Sequence, residues 1–152
     1  MSKQESKTRE LKPKAAIQQA VPMPEPQPGE RPTLYADRIG EWYVAQKSAE
    51  HRKGHGLYLT PVLAADFMGE QIKVTGERLR VLDPASGAGI LACAAIESLI
   101  SRANKPQIIE LVAYEIDPDI IPALHAVFDC LVEWCRTGYD VVLEVRIEAR
   151  DF

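Results

Sequence analysis

The stretch Leu79-Arg80-Val81-Leu82-Asp83-Pro84-Ala85-Ser86-Gly87-Ala88-Gly89 decides the reading of this chain. A short run of strand character ends in a carboxylate, a loop with two glycines follows, and an apolar helix begins at Ile90. A strand–loop–helix corner of this kind builds a nucleoside-cofactor site. Gly87 and Gly89 give the turn and let the backbone approach a ligand, while the helix start presents unpaired N–H groups to a carboxylate or phosphate. Asp83 stands at the carboxyl end of the strand, where open α/β sheets bind their ligands. It would repel a pyrophosphate. It suits a cationic ligand such as S-adenosylmethionine, which carries an ammonium and a sulfonium.

One βα unit further on, Val112-Ala113-Tyr114-Glu115-Ile116-Asp117-Pro118 ends a second strand in another acid. A carboxylate at this point accepts ribose hydroxyls in nucleoside sites. Glu115 takes that role here, with Ile116 against the adenine face. Gly87-x-Gly89-x-x-Ala92 also fits a dinucleotide fingerprint, whose ribose acid lies about 20 residues on. Here 28 residues separate Gly87 from Glu115 (115 − 87), and an Asp-Pro pair precedes the loop, so a dinucleotide is disfavoured.

Ahead of these segments runs Gly56-Leu57-Tyr58-Leu59-Thr60-Pro61. In order, Gly-x-Tyr-x-Thr-Pro, Asp-Pro-Ala-Ser-Gly-x-Gly and Tyr-Glu-Ile-Asp resemble motifs X, I and II of the adenine-N6-specific DNA methyltransferases of restriction–modification systems. The resemblance covers roughly residues 52 to 152. It implies a partial Rossmann-like S-adenosylmethionine-dependent methyltransferase fold of class α/β, with the first three parallel strands and their helices. It implies a cofactor site of Tyr58, Thr60, Pro61, Asp83, Pro84, Ala85, Ser86, Gly87, Gly89, Glu115, Ile116 and Asp151. Tyr58 and Thr60 would close over the methionine end, and Asp151 would reach the adenine amino group as in motif III. The family's catalytic Asn/Asp/Ser-Pro-Pro-aromatic tetrapeptide is absent, and no two prolines are adjacent. The expectation is therefore no catalytic residue here, a chain inactive alone, and DNA engaged through a carboxyl-terminal half or partner subunit. Alternatives are a non-catalytic cofactor-binding module or remnant, or an enzyme whose acceptor is RNA or a protein glutamine.

Composition agrees with a single globular domain plus a tail: 152 residues, 46% hydrophobic, net charge −4. The charge is split. Residues 1–32 carry six Lys/Arg against four Asp/Glu, and residues 33–152 carry twelve against eighteen. A surface that tracks a nucleic-acid backbone is normally basic, so the main DNA grip is expected outside this sequence. No apolar leader or membrane-length run is present. With Cys93, Cys130 and Cys135 read as buried free thiols, a cytoplasmic location is expected.

Residues 1–32, with prolines at 22, 24, 26, 28 and 32, read as a disordered tail. Residues 33–56 read as a helical lead-in, from Leu34 to about Ala49, and a basic connector. His51 and His55 are four apart, but Gly54 and Gly56 oppose a helix there, so no metal site is expected. Residues 57–152 form the cofactor-binding half. Within it, Thr60 should cap a helix with Pro61 at its first position, Leu63 and Phe67 sharing one face and Asp66 and Glu70 pointing outward. A strand at 79–82, a helix at 89–102 and a strand at 108–115 make a βαβ unit. A helix from Asp119 to Thr137 follows, Asp119 capping and Gly138 stopping it, with Ala123, Leu124, Val127, Phe128, Leu131 and Trp134 as its buried stripe. The strand 141–149 alternates, Leu143, Val145, Ile147 and Ala149 on one side, as suits a sheet edge. The other edge, Leu79–Leu82, should lie open beside uncovered apolar helix surface at Ile90, Leu91 and Ile96.

Overall fold

A computed structural model describes residues 21–54 and 59–152; the expectations for residues 1–20, His55 and Tyr58 fall outside the described residues. The protein is α/β. Its elements run α1 (Pro32–Ala45), α2 (Ala49–Gly54), α3 (Val62–Glu70), β1 (Arg78–Asp83), α4 (Ile90–Ile100), β2 (Ile108–Tyr114), α5 (Ile121–Tyr139) and β3 (Val142–Glu148). The strands form one parallel sheet of order β1-β2-β3, with Leu79 opposite Ile109 and Ile109 opposite Leu143. Parallel neighbours need crossovers, and α4 and α5 supply them.

Side chains alternate across a strand, and here the alternation separates a dry face from a wet one. Ile109, Leu111, Ala113 and Leu143 are buried with α4 and α5 in one core. On the opposite face Arg78 and Arg80 both pair with Glu110, Arg78 also reaches Glu144, and Leu82, Glu144 and Arg146 are exposed. This explains why β2 alternates instead of reading as the continuous apolar run of a sheet buried on both faces. Among the described residues β1 pairs with β2 alone, so its outer edge is open.

The apolar surface beside that edge differs from expectation. Ile90 and Ile96 are buried and Leu91 is half-buried, because α1, α3 and α5 pack around α4. The exposed residues belong to α3: Leu63 is 84% and Phe67 63% exposed. The inward face of α3 is made of small residues, Ala65 and Gly69. A Cβ on Gly69 would lie 2.6 Å from the Ala94 carbonyl oxygen. Close backbone approach of α3 to α4 thus sets the rotation, and the larger side chains turn out to solvent.

Acids on α3 and α4 hold the amino end of α1. The buried Glu97 carboxylate accepts the Thr33 N–H at 2.7 Å and its hydroxyl at 2.8 Å, capping α1 from another helix. Arg31 donates to Glu97 at 2.7 Å and to Asp66 at 2.7 Å, which turns Asp66 from the expected solvent side toward α1. Residues 21–31, expected to be an unfolded tail, lie against α1. Trp42 Nε1 donates to the Val21 carbonyl, Tyr35 to that of Pro24, and Arg38 binds Glu30.

The lead-in helix stops at Ala45 and not near Ala49, residues 49–54 of the expected connector form the short helix α2 despite Gly54, and both ends of α5 are also shifted. Ile120 precedes α5 in place of Asp119, which puts Pro122 in the first turn, where its missing N–H costs nothing. Gly138 stays helical, and Asp140 takes the left-handed conformation (φ 53°) that ends α5. Trp134 is half-buried against Tyr139, so Cys135 completes the buried stripe instead. The three cysteines are free, and Cys130 is only half-buried. Burial pushes the Cys135 thiol up to about 12, and that of Cys93 well above its ordinary value, so both are protonated packing groups. Among the described residues no helix is long and apolar enough to cross a membrane.

Gly69→Ala should destabilise the protein by about 1–3 kcal/mol through overpacking, whereas Phe67→Ser should change stability by no more than about 0.5 kcal/mol. Urea unfolding of both variants checks this; the reverse ranking would put Phe67 in the core.

Candidate functional site

The carboxyl ends of β1 and β2 meet the loop 84–89, and the two acids predicted there come together. Glu115, buried immediately after β2, accepts the Gly87 N–H at 2.7 Å through one oxygen and the Asp117 N–H at 2.7 Å through the other. The Ser86 N–H donates to the Tyr114 carbonyl at 2.9 Å, and Gly89 N–H to the Ser86 carbonyl at 2.7 Å. Gly89 adopts φ 82° at the start of α4, and a Cβ there would meet the Phe128 ring at 2.8 Å. Gly87 has φ 52° and open space where its Cβ would be, the cradle a close ligand requires.

A cleft of about 150 Å³ opens over this loop. It is lined by Thr60, Pro84, Ala85, Ser86, Gly87, Glu115, Ile116 and Asp151, which were expected, and by Ala36, Asp37, Gly40 and Arg150, which were not. Its volume is below the roughly 300–1,000 Å³ of a cavity that engulfs a small ligand, so a bound nucleoside would keep one side exposed. Ile116, 56% exposed, offers an apolar surface to a base. Pro61 and Gly89, also expected there, do not line the cleft. Pro61 occupies the cap position of α3, so Thr60 is outside the helix and caps nothing; its hydroxyl is left to the cleft.

Asp83 is buried beneath the loop and does not line the cleft. One oxygen accepts the Ala85 N–H at 3.3 Å, and the buried Ser86 hydroxyl lies beside the carboxyl as a donor. Burial first, and the nearby Glu115 charge, raise the Asp83 carboxyl above its ordinary value despite the Ala85 N–H and the Ser86 hydroxyl. A cation at this end of the loop would favour the charged form of Asp83. These residues therefore fit a cationic nucleoside.

Sequence reasoning passed over Asp117. It is 1% exposed, and its Oδ2 accepts the Tyr43 hydroxyl at 2.6 Å and faces His51 Nε2 at 2.8 Å. Burial would raise its carboxyl, but hydrogen bonds from Tyr43, His51 and the Asp119 N–H outweigh it and hold it below the ordinary range. His51, Asp117 and Asp119 converge as metal-ligating groups do, yet the Lys47 ammonium sits 2.6 Å from Asp119 and neutralises it. The signal available in the sequence was Tyr43 and His51, eight apart on the lead-in, together with the second acid of Glu-Ile-Asp.

Compared with protein-family models, with curated proteins and with solved structures, the chain matches none.

A raised carboxyl contributes stability that is complete below its unfolded value, near 3.9, and lost as pH rises through its folded value. Asp83→Asn should therefore match the unliganded parent at pH 4 and exceed its stability at pH 7. Urea unfolding at both pH values measures the difference; a variant weaker at both would show Asp83 to be a structural anchor.

Proposed function

We propose that this chain is the S-adenosylmethionine-binding portion of an adenine-N6 DNA methyltransferase, its three-stranded sheet being part of a Rossmann-like methyltransferase fold. One observation carries the reading. The ribose-type acid Glu115 is buried and locked to the glycine loop, with the buried Asp83 carboxyl close enough to feel its charge. The order of the three sequence motifs supports the same class.

S-adenosylmethionine, when bound, supplies an electrophilic methyl group on its sulfonium. The chain's own residues bind and orient it. A carboxylate has about four acceptor sites, so Glu115 retains capacity for ribose hydroxyls while holding Gly87 and Asp117. Ile116 packs on the base, Asp151 meets its amino group at the rim, and Thr60 meets the amino-acid end. The acidic lining disfavours a phosphate. No residue in the sequence matches the family's acceptor clamp, so the target base must be held by residues beyond this sequence, on a further segment or a partner subunit. That part would also carry the DNA grip, in keeping with the net charge of −4. The missing clamp equally favours a second reading, a cofactor-binding module without turnover of its own.

Calorimetry should detect S-adenosylmethionine binding; Glu115→Ala should cost about 1.5–3 kcal/mol, and Asp83→Ala should weaken binding through loss of the charge beneath the loop. Unchanged affinity in both would remove the site assignment. With this chain alone, radiolabel transfer to adenine-containing DNA should stay at background; repeated turnover would refute the missing acceptor clamp. Activity appearing on addition of a partner carrying the clamp would separate the enzyme from the binding module.

A further inference from the structure

Helix α1 belongs to none of the three motifs, yet its Ala36, Asp37 and Gly40 form one wall of the cleft. Gly40 brings it there: a Cβ at this position would lie 2.8 Å from Leu59 Cδ2 and 3.6 Å from the Ala88 Cβ, so α1 seats directly on the glycine loop. The helix is also fixed to the ribose acid. Tyr43 donates to Asp117, whose N–H donates to Glu115, whose other oxygen holds Gly87.

On this anchored helix, Asp37 is half-buried, and its carboxylate has no hydrogen-bond or ion-pair partner among the described residues. The cations around it are engaged elsewhere: Arg31 by Glu97 and Asp66, Arg38 by Glu30, Lys47 by Asp119. Burial, and then Glu41, raise its carboxyl, as expected of an acid short of a counter-charge. Asp83 does not reach the cleft surface. Asp37 is therefore an acceptor that lines the cleft without a partner among the described residues.

Resting on the nucleoside-cofactor reading above, we propose that Asp37 recognises the primary ammonium of the ligand and makes α1 part of the cofactor site. An ammonium has three N–H donors and no acceptor, which complements a carboxylate that lacks a partner. Asp83 beneath the loop adds charge without contact. Selectivity follows from this assignment: nucleosides bearing an amino-acid arm bind through Asp37, and those lacking it bind only through Glu115 and Ile116.

The test is calorimetry on the whole chain with three ligands. S-adenosylmethionine and S-adenosylhomocysteine carry the ammonium, and 5′-methylthioadenosine keeps the nucleoside without it. Asp37→Asn should weaken the first two by about tenfold or more and leave the third within about twofold. Asp37→Ser should repeat the pattern, with circular dichroism confirming the fold of each variant. Unchanged S-adenosylhomocysteine affinity, or equal loss for all three ligands, would overturn the ammonium role while leaving the nucleoside reading intact. Failure of the unmodified chain to bind any of the three would remove both.

Discussion

The carboxylate of Glu115 accepts one backbone N–H from each of the two loops that leave the sheet at its carboxyl edge, and the site depends on this. Gly87 belongs to the loop after β1 and Asp117 to the turn after β2. A single buried acid thereby sets the distance between the glycine loop and the following turn. Charge-assisted hydrogen bonds of this kind are about twice as strong as neutral ones. Through Asp117 the same acid is coupled to Tyr43 and His51, so the lead-in helices are registered against the cleft as well.

The rest of the architecture can be read as support for that corner. Helix α4 is apolar almost all round, and it is buried on several sides, by α1, α3, α5 and the sheet. Its one buried acid, Glu97, is satisfied by capping α1 and pairing with Arg31. Among the described residues the sheet, by contrast, is covered on one face only. Its outer face is laid with ion pairs at the amino end of the strands and turns apolar toward the carboxyl end, at Leu82 and Val112. Tyr114 there is flanked by Phe152 at 5.0 Å between ring centroids and by the Arg150 guanidinium at 5.4 Å. The open β1 edge and the exposed Leu63 and Phe67 are the least protected parts of the described chain.

Strands, crossovers and the acid-bearing loop were legible because each has a short-range cause. Alternation fixed the faces of β3, and the positive φ of Gly87 and Gly89 is a local demand that glycine meets. What the sequence did not disclose was decided by contacts between distant segments. The face of α3 follows from the backbone approach of Gly69 to Ala94, which hydrophobic spacing cannot anticipate. The partners of Asp66 and Asp117 lie 35 and 74 residues away. For the same reason Asp37 could not be joined to the cleft by any motif: only the seating of Gly40 on Ala88 brings it there.

The central claim is that the Glu115-locked corner receives a cationic nucleoside. Titration of the isotope-labelled chain with S-adenosylmethionine, followed through backbone amide resonances, addresses it most directly. The account predicts saturable shifts concentrated at Ser86, Gly87, Ile116 and Asp117, with the amides of the outer sheet face, such as Arg80 and Glu144, unmoved. Absence of any shift at millimolar ligand, or shifts confined to the outer face, would contradict it.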